Sequence, residues 1–256
     1  AGMLDCRKAL TESNGDFEAA IDWLRKQGQK VAAKRSDREA KEGVVIAQTT
    51  ADHKSGIVLC ISCETDFVSK NADFVAFAQS IADAAIANDV KTAEELNGVT
   101  VNGAKVEELI NDKLAAIGEK IAVSKFERVD APYVASYIHG ANRMGVLVSM
   151  TKEAAEAGKD VAMQIAAMNP LAVDETSISQ ETKDREKAIA IEMIKAEGKP
   201  AEMAEKIADG KMNKFFKDNT LMHQAFVKDN SKSVADYLKS VDADLKVTDF
   251  KRVALG

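Results

Sequence analysis

The sequence predicts an α+β protein made of two related subdomains, each laying helices on one face of a small antiparallel sheet. Three observations lead there. A β-rich run, a turn, a second β-rich run and an amphipathic helix follow one another over residues 44–85 and again over 133–166. Two short segments repeat: Gly56-Ile57-Val58-Leu59 matches Gly145-Val146-Leu147-Val148, and Lys125-Phe126-Glu127-Arg128-Val129 matches Asp249-Phe250-Lys251-Arg252-Val253. Ala and Lys are the commonest residues and Glu is abundant, with 14 Gly and only 3 Pro, which favours helix between the strands.

The first element is a pair of short helices. Met3, Cys6 and Leu10 recur at helical spacing, and Phe17, Ala20, Ile21 and Leu24 repeat it after the Asn14-Gly15-Asp16 turn, with Gly28 expected to stop the second helix. So few residues seldom fold without help, since about 40 is the usual lower bound. The pair must therefore pack on an upstream helix, on the rest of the chain or on a partner. Residues 29–43, rich in charge and without aromatics, read as a solvated helical linker rather than an RNA-binding arm.

The first subdomain spans 44–130. Runs at 44–50 and 57–62 form a hairpin around Asp52-His53-Lys54-Ser55-Gly56. Helices follow on Phe74, Phe77, Ala78, Ile81 and Ala85 and on Val106, Leu109, Ile110, Leu114 and Ile117, the latter ended by Gly118 before a strand at 121–129. The second subdomain spans 131–256, with a hairpin at 133–150, a helix closed by Pro170 and a last strand at 247–253. Inserted at about 179–218 are two helices, the first N-capped by Ser179, broken by Gly198-Lys199-Pro200. Met203, Ala204, Ile207, Ala208, Met212 and Phe215 form one apolar stripe on the second. The pattern leaves open whether this αα-hairpin projects as a short coiled coil or lies flat on the core.

Composition removes several functions. With 35 Lys and Arg against 41 Asp and Glu, the net charge of −6 excludes a globally basic nucleic-acid binder and gives no reason to expect DNA. Three cysteines, an odd number without a leader-like segment, argue for a reducing, cytoplasmic setting, and no run approaches the ~20 apolar residues of a membrane span.

Catalytic motifs fail one by one. Gly98 to Lys105 has phosphate-loop spacing, but Ala104 stands where the lysine belongs and Lys105 where a hydroxyl should meet magnesium. His53, His139 and His223 form no local ligand pair. Cys60-Ile61-Ser62-Cys63 ends a strand, whereas a redox pair sits at a helix N-terminus. Ser62, Ser136 and Ser149 lack a nucleophile-elbow setting. Neither catalytic residues, cofactor nor metal are expected.

One segment stands out. Cys63-Glu64-Thr65-Asp66-Phe67-Val68-Ser69-Lys70 joins strand to helix yet sets Phe67 and Val68 beside two acids. Either Phe67 tucks under the next helix as a staple while Asp66 caps a turn, or aromatic and acid form an exposed probe that enters a partner.

At these residues the chain resembles the bacterial elongation factor Ts family of guanine-nucleotide exchange factors, which act on elongation factor Tu. The resemblance rests on residues 2–12 (GMLDCRKALTE), on Thr65-Asp66-Phe67-Val68, and on Ser136-Tyr137-Ile138-His139-Gly140 with Arg143-Met144-Gly145-Val146-Leu147-Val148. Leu4 and Met144 depart from the family's common methionine and isoleucine but stay apolar. The resemblance implies that residues 1–28 are a ubiquitin-associated-like segment lacking the first of three helices, and that the helical hairpin is a coiled coil. It further implies that Thr65, Asp66, Phe67 and Val68 dislocate the partner's Mg2+, that Met3, Leu4, His139, Gly140 and Arg143 bind the partner, and that no nucleotide is bound directly. It allows a homodimer within a heterotetramer. A binding or scaffold protein without exchange activity is the alternative.

Overall fold

Val44, Ile46, Ile57, Leu59 and Ile61 alternate with the strand period, and in the computed structural model, which describes residues 3–35, 37–198 and 200–256, they line one face of a three-stranded sheet. β1 (Glu42–Thr49) and β2 (Ser55–Cys63) pair antiparallel, with Val44 opposite Ile61 and Ile46 opposite Leu59. The turn between them closes through Thr50 and Ser55, with His53 at φ 55°.

Two helices cover that face. They are α4 (Ala72–Ala87), through Phe74, Ala78, Ile81 and Ala85, and α6 (Val106–Ile117), through Val106, Ile110 and Leu114. Each large side chain fully buried here is worth about 1.5–3 kcal/mol. β5 (Ala122–Asp130) pairs antiparallel with the other edge of β2, giving the order β1-β2-β5.

Between α4 and α6 the chain makes α5 (Ala93–Gly98), capped by Thr92, and a small hairpin of β3 (Thr100–Val101) and β4 (Ala104–Lys105). Asn102 and Gly103 at its tip have φ of 51° and 86°. Residues with the spacing of a phosphate loop thus form a two-residue hairpin, the use to which Asn-Gly is well suited.

α1 (Met3–Glu12) and α2 (Phe17–Arg35) join through Asn14 and Gly15, both left-handed. Gly28 does not stop α2. The helix continues to Arg35, and a Cβ on Gly28 would lie 3.3 Å from the Ala115 Cβ, so this glycine serves the close crossing of α2 and α6. The side chains of the charged run at 31–36 lie outside the described residues.

The chain divides into two units. One comprises Ala1–Asp130, Ser136–Leu147 and Lys251–Gly256, the other Ala131–Ala135 and Val148–Phe250. β6 (Tyr133–His139), β7 (Met144–Met150) and β10 (Val247–Ala254) form a second three-stranded sheet ordered β10-β7-β6. Of the repeated segments, the first pair falls on β2 and β7, central in their sheets, and the second pair on β5 and β10, each an outer strand.

In the second unit α7 (Ala155–Met168) buries Ala157, Val161, Ala162 and Ile165 and ends at Asn169 with φ 44°. A short 3-10 turn capped by Asp174 leads to α8 (Gln180–Ala196), whose N-cap is Ser179, and then α9 (Ala201–Asn219). Gly198, at φ 80°, separates them, and Lys199 of the expected break lies outside the described residues. α8 and α9 pack on each other through Ala190, Ile194, Ala204 and Ala208. Met203 is 56% exposed and stands off the expected stripe.

β8 (Ala225–Phe226), β9 (Asp229–Ser233) and α10 (Val234–Val241) close the unit. Gln164, fully buried, accepts from the Val227 N–H at 2.8 Å and donates to the Ala225 carbonyl at 3.1 Å. Asp160 takes Lys228 and the Tyr237 hydroxyl, so neither buried polar group is left unmatched. Among the described residues no helix is long and apolar enough to cross a membrane.

Candidate functional site

Directly after β2, residues expected to form a loop make one helical turn, α3 (Asp66–Ser69), which ends against the Asn71 cap of α4. The turn sorts its side chains. Val68 packs against the first unit's core and Ser69 is buried, whereas Phe67 is 85% exposed. Phe67 is therefore not tucked under α4, and Asp66 lies inside the turn rather than capping it. Phe67, Val68, Phe74, Lys113 and Ile117 border a depression of about 300 Å3.

Asp66 accepts from the Lys70 ammonium at 2.7 Å, and this bond and charge hold its carboxyl below the ordinary carboxylate range. It stays ionised at neutral pH. Thr65, the N-cap residue, makes no side-chain cap bond; its hydroxyl donates instead to Glu119 Oε1 at 2.6 Å. Glu119 Oε2 also accepts from the Glu64 and Thr65 N–H groups, each at 3.0 Å. The turn thus presents an ionised acid and an uncovered aromatic ring side by side.

A second predicted group sits on the turn from β6 to β7. Gly140, Ala141 and Asn142 follow one another in left-handed conformation, with φ of 63°, 52° and 65°. For alanine this costs about 1–2 kcal/mol, offset where the turn docks. The Val45 N–H donates to the Asn142 carbonyl at 2.7 Å, and Asn142 Nδ2 donates to the Val45 carbonyl at 3.1 Å. These bonds occupy the outer edge of β1.

Arg143 donates to Glu42 at 2.8 Å, and this bond first, then the charge of Glu42 and more weakly that of Asp66, raises its guanidinium further. His139 is exposed, its Nδ1 3.0 Å from the Tyr137 hydroxyl. Gly145 lies so close to the first sheet that a Cβ there would fall 2.9 Å from Val45 and Val58. The first unit thereby holds both predicted groups, and the Arg143 guanidinium feels the Asp66 charge.

Met3 and Leu4 on α1 are 90% and 75% exposed, an apolar face with only Ala9 of that helix buried. Sequence reasoning missed Glu119 and Asn142. Nothing local to Glu119 or Asn142 marks them, because their partners lie 54 and 97 residues away. Ile117, expected on the apolar face of its helix, is 39% exposed at the end of α6 and borders the depression beside Phe67.

Cys60 and Cys63 are buried, three residues apart on β2 and hence on opposite faces of the sheet, and burial pushes the Cys63 thiol up to about 12. Among the described residues, no three or more His, Cys, Asp or Glu side chains are placed to hold a metal ion.

A family model described as Elongation factor TS matches residues 64–256. Elongation factor Ts of Christiangramia forsetii is 50% identical over 259 residues, covering 100% of this chain and 94% of the relative. That of Flavobacterium psychrophilum is 48% identical over 259 residues, with 100% of this chain and 94% of the relative covered. That of Clostridium perfringens is 42% identical over 268 residues, with 100% and 88% covered.

Proposed function

The chain belongs to the elongation factor Ts family and is a translation elongation factor of that kind, and from this premise we propose that it acts as a guanine-nucleotide exchange factor on elongation factor Tu. It binds the GDP form, disturbs the Mg2+ and phosphate site, and promotes GDP release. The observation that carries this reading is Phe67, 85% exposed on a one-turn helix beside the ionised Asp66. An exposed aromatic costs solvation unless a partner covers it, and an acid near a bound cation competes for its surroundings.

A nucleotide's phosphates are held in such GTPases by magnesium and backbone N–H groups. A protein that distorts this cradle needs no nucleotide site and no chemistry of its own. Met3 and Leu4 supply an apolar face for the partner's nucleotide domain, while His139, Gly140 and Arg143 form or support a second contact. Thr65 and Val68 anchor the turn that carries Asp66 and Phe67. A thousandfold faster release requires about 4 kcal/mol off the barrier. Burial of one phenyl ring supplies about 1.5–3 kcal/mol, so Phe67 works with the wider interface. Tight rebinding of nucleotide must in turn expel the factor, because coupling between sites is reciprocal.

In this reading residues 1–28 are the ubiquitin-associated-like part of a docking module, with the linker at 29–43 leading to subdomains at 44–130 and 131–256. The corresponding places of β2 and β7, and of β5 and β10, support treating these as related. The hairpin of α8 and α9 serves as a coiled coil and a surface for a homodimer within a heterotetramer. The setting is the cytoplasm, where translation factors act.

The test is release of a fluorescent GDP analogue from elongation factor Tu. The chain should accelerate it, and Asp66→Ala with Phe67→Ala should remove most of the acceleration. Undiminished acceleration by that double variant refutes the role given to this turn.

A further inference from the structure

We propose that Glu119, in the bend between α6 and β5, is the positioning residue of the exchange turn: its carboxylate grips Thr65 and so sets the direction in which Asp66 and Phe67 leave the fold. The inference rests on the exchange-factor reading and adds the residue that makes its geometry reproducible.

Three bonds converge on one side chain. Oε2 accepts from the Glu64 and Thr65 N–H groups at 3.0 Å each, and Oε1 accepts from the Thr65 hydroxyl at 2.6 Å. A threonine at an N-cap ordinarily turns its oxygen to the helix it begins. Thr65 makes no such bond, so its hydroxyl serves the contact with Glu119.

The grip runs both ways. Glu64 accepts from the Lys120 N–H at 2.6 Å and from Arg38 at 3.1 Å, and the Lys120 ammonium donates to the Arg38 carbonyl at 3.0 Å. Residues 64–65 and 119–120 therefore exchange bonds in both directions across more than 50 residues of chain.

Both halves of the clip are anchored. Cys63, which precedes the turn, is fully buried; Ile121, two residues after Glu119, is 3% exposed; and Gly118 is fixed in the left-handed cap of α6 at φ 80°. α3 itself has only four residues, with Val68 and Ser69 facing inward, too little to orient the acid and the ring alone. Charge-assisted bonds from a carboxylate are directional. A turn fixed before the encounter avoids the ordering cost that a loose one pays on binding.

Glu119→Ala is predicted to lower the GDP release rate at saturating factor about tenfold, equivalent to about 1.4 kcal/mol of barrier. Glu119→Gln keeps an oxygen for the two N–H groups and an amide that can donate to the Thr65 hydroxyl, and should stay within about twofold of the parent. In the Asp66→Ala, Phe67→Ala background, Glu119→Ala should change nothing further, because residues acting as one unit are not additive. A merely structural role would reduce the melting temperature or the active fraction and leave the saturated rate where it was; that outcome overturns the proposal. So does a further tenfold loss in the double-variant background. A double variant as active as the parent sinks the site reading and this inference with it, whereas a crippled double variant beside a fully active Glu119→Ala sinks only this inference. Should Glu119→Ala not fold, Thr65→Val, which removes the hydroxyl bond alone, decides: about threefold loss at saturation supports the grip, and a parental rate overturns it.

Discussion

The Arg143 guanidinium donates to the Glu42 carboxylate at 2.8 Å, joining residues 101 apart in the chain. Glu42 is opposite Cys63 in the β1–β2 register, and Cys63 immediately precedes Glu64 and Thr65, which lead into α3. The pair therefore ties the β6–β7 turn to the sheet end from which Asp66 and Phe67 emerge.

Asn142 makes two of the bonds that dock this turn on β1. Asn142→Ala should lower the urea unfolding free energy by about 2 kcal/mol, since it removes the bond to the Val45 carbonyl and leaves alanine in a left-handed conformation. Asn142→Gly, relieved of the second cost, should lose less. Equal losses would show that the backbone conformation contributes nothing.

Phe67 and Phe74 lie seven residues apart and should behave oppositely. Phe74, 2% exposed, should cost about 3–5 kcal/mol as alanine. Phe67→Ala should leave stability within about 0.5 kcal/mol of the parent while slowing GDP release. Chemical denaturation beside the exchange assay separates the two, and a destabilised Phe67→Ala would mean the ring packs inward.

Gly145→Val should destabilise by about 1–3 kcal/mol or more, because even a Cβ would meet Val45 and Val58 at 2.9 Å. A two-state urea titration checks this; an unchanged midpoint would show that the sheet face has room to spare.

At pH 8 a thiol reagent should label Cys6 in the folded protein, and all three cysteines after denaturation. Cys60 and Cys63 are buried, and burial raises both thiols, Cys63 to about 12. Rapid labelling of more than one thiol without denaturant would contradict the placement of β2.

Lys70 should control the titration of Asp66. The folded carboxyl lies below its ordinary value, so the pair's contribution is present above that value and lost as pH falls through the lowered one. Carboxyl NMR on Lys70→Ala should show the Asp66 inflection moving up toward 3.8. An unmoved inflection would assign the effect to another group.

Much of this fold was legible because its signals are local. Asn14-Gly15 adopted the predicted turn, Ser179 capped α8 through the Thr182 N–H, and Gly118 closed α6. The exposed acid and aromatic were legible as a chemical oddity, though the residues alone did not decide between a tucked and an open ring. What escaped depends on distant partners. Gly28 looks like a stop signal until Ala115 arrives beside it, and Glu119 looks like a surface acid until Thr65 does. The β3–β4 hairpin differs: its Asn102-Gly103 cue is local but lies within a run that also has phosphate-loop spacing.

Residues 251–256 belong with the first unit, and the Leu255 N–H donates to the Arg143 carbonyl at 3.0 Å. During synthesis, which proceeds at about 5–20 residues per second, that unit is complete only after residues 251–256 have cleared the ribosome's exit tunnel. A nascent chain stalled shortly before residue 251 would hold an unfinished N-terminal body, exposed to proteases and chaperones, however long it had been outside.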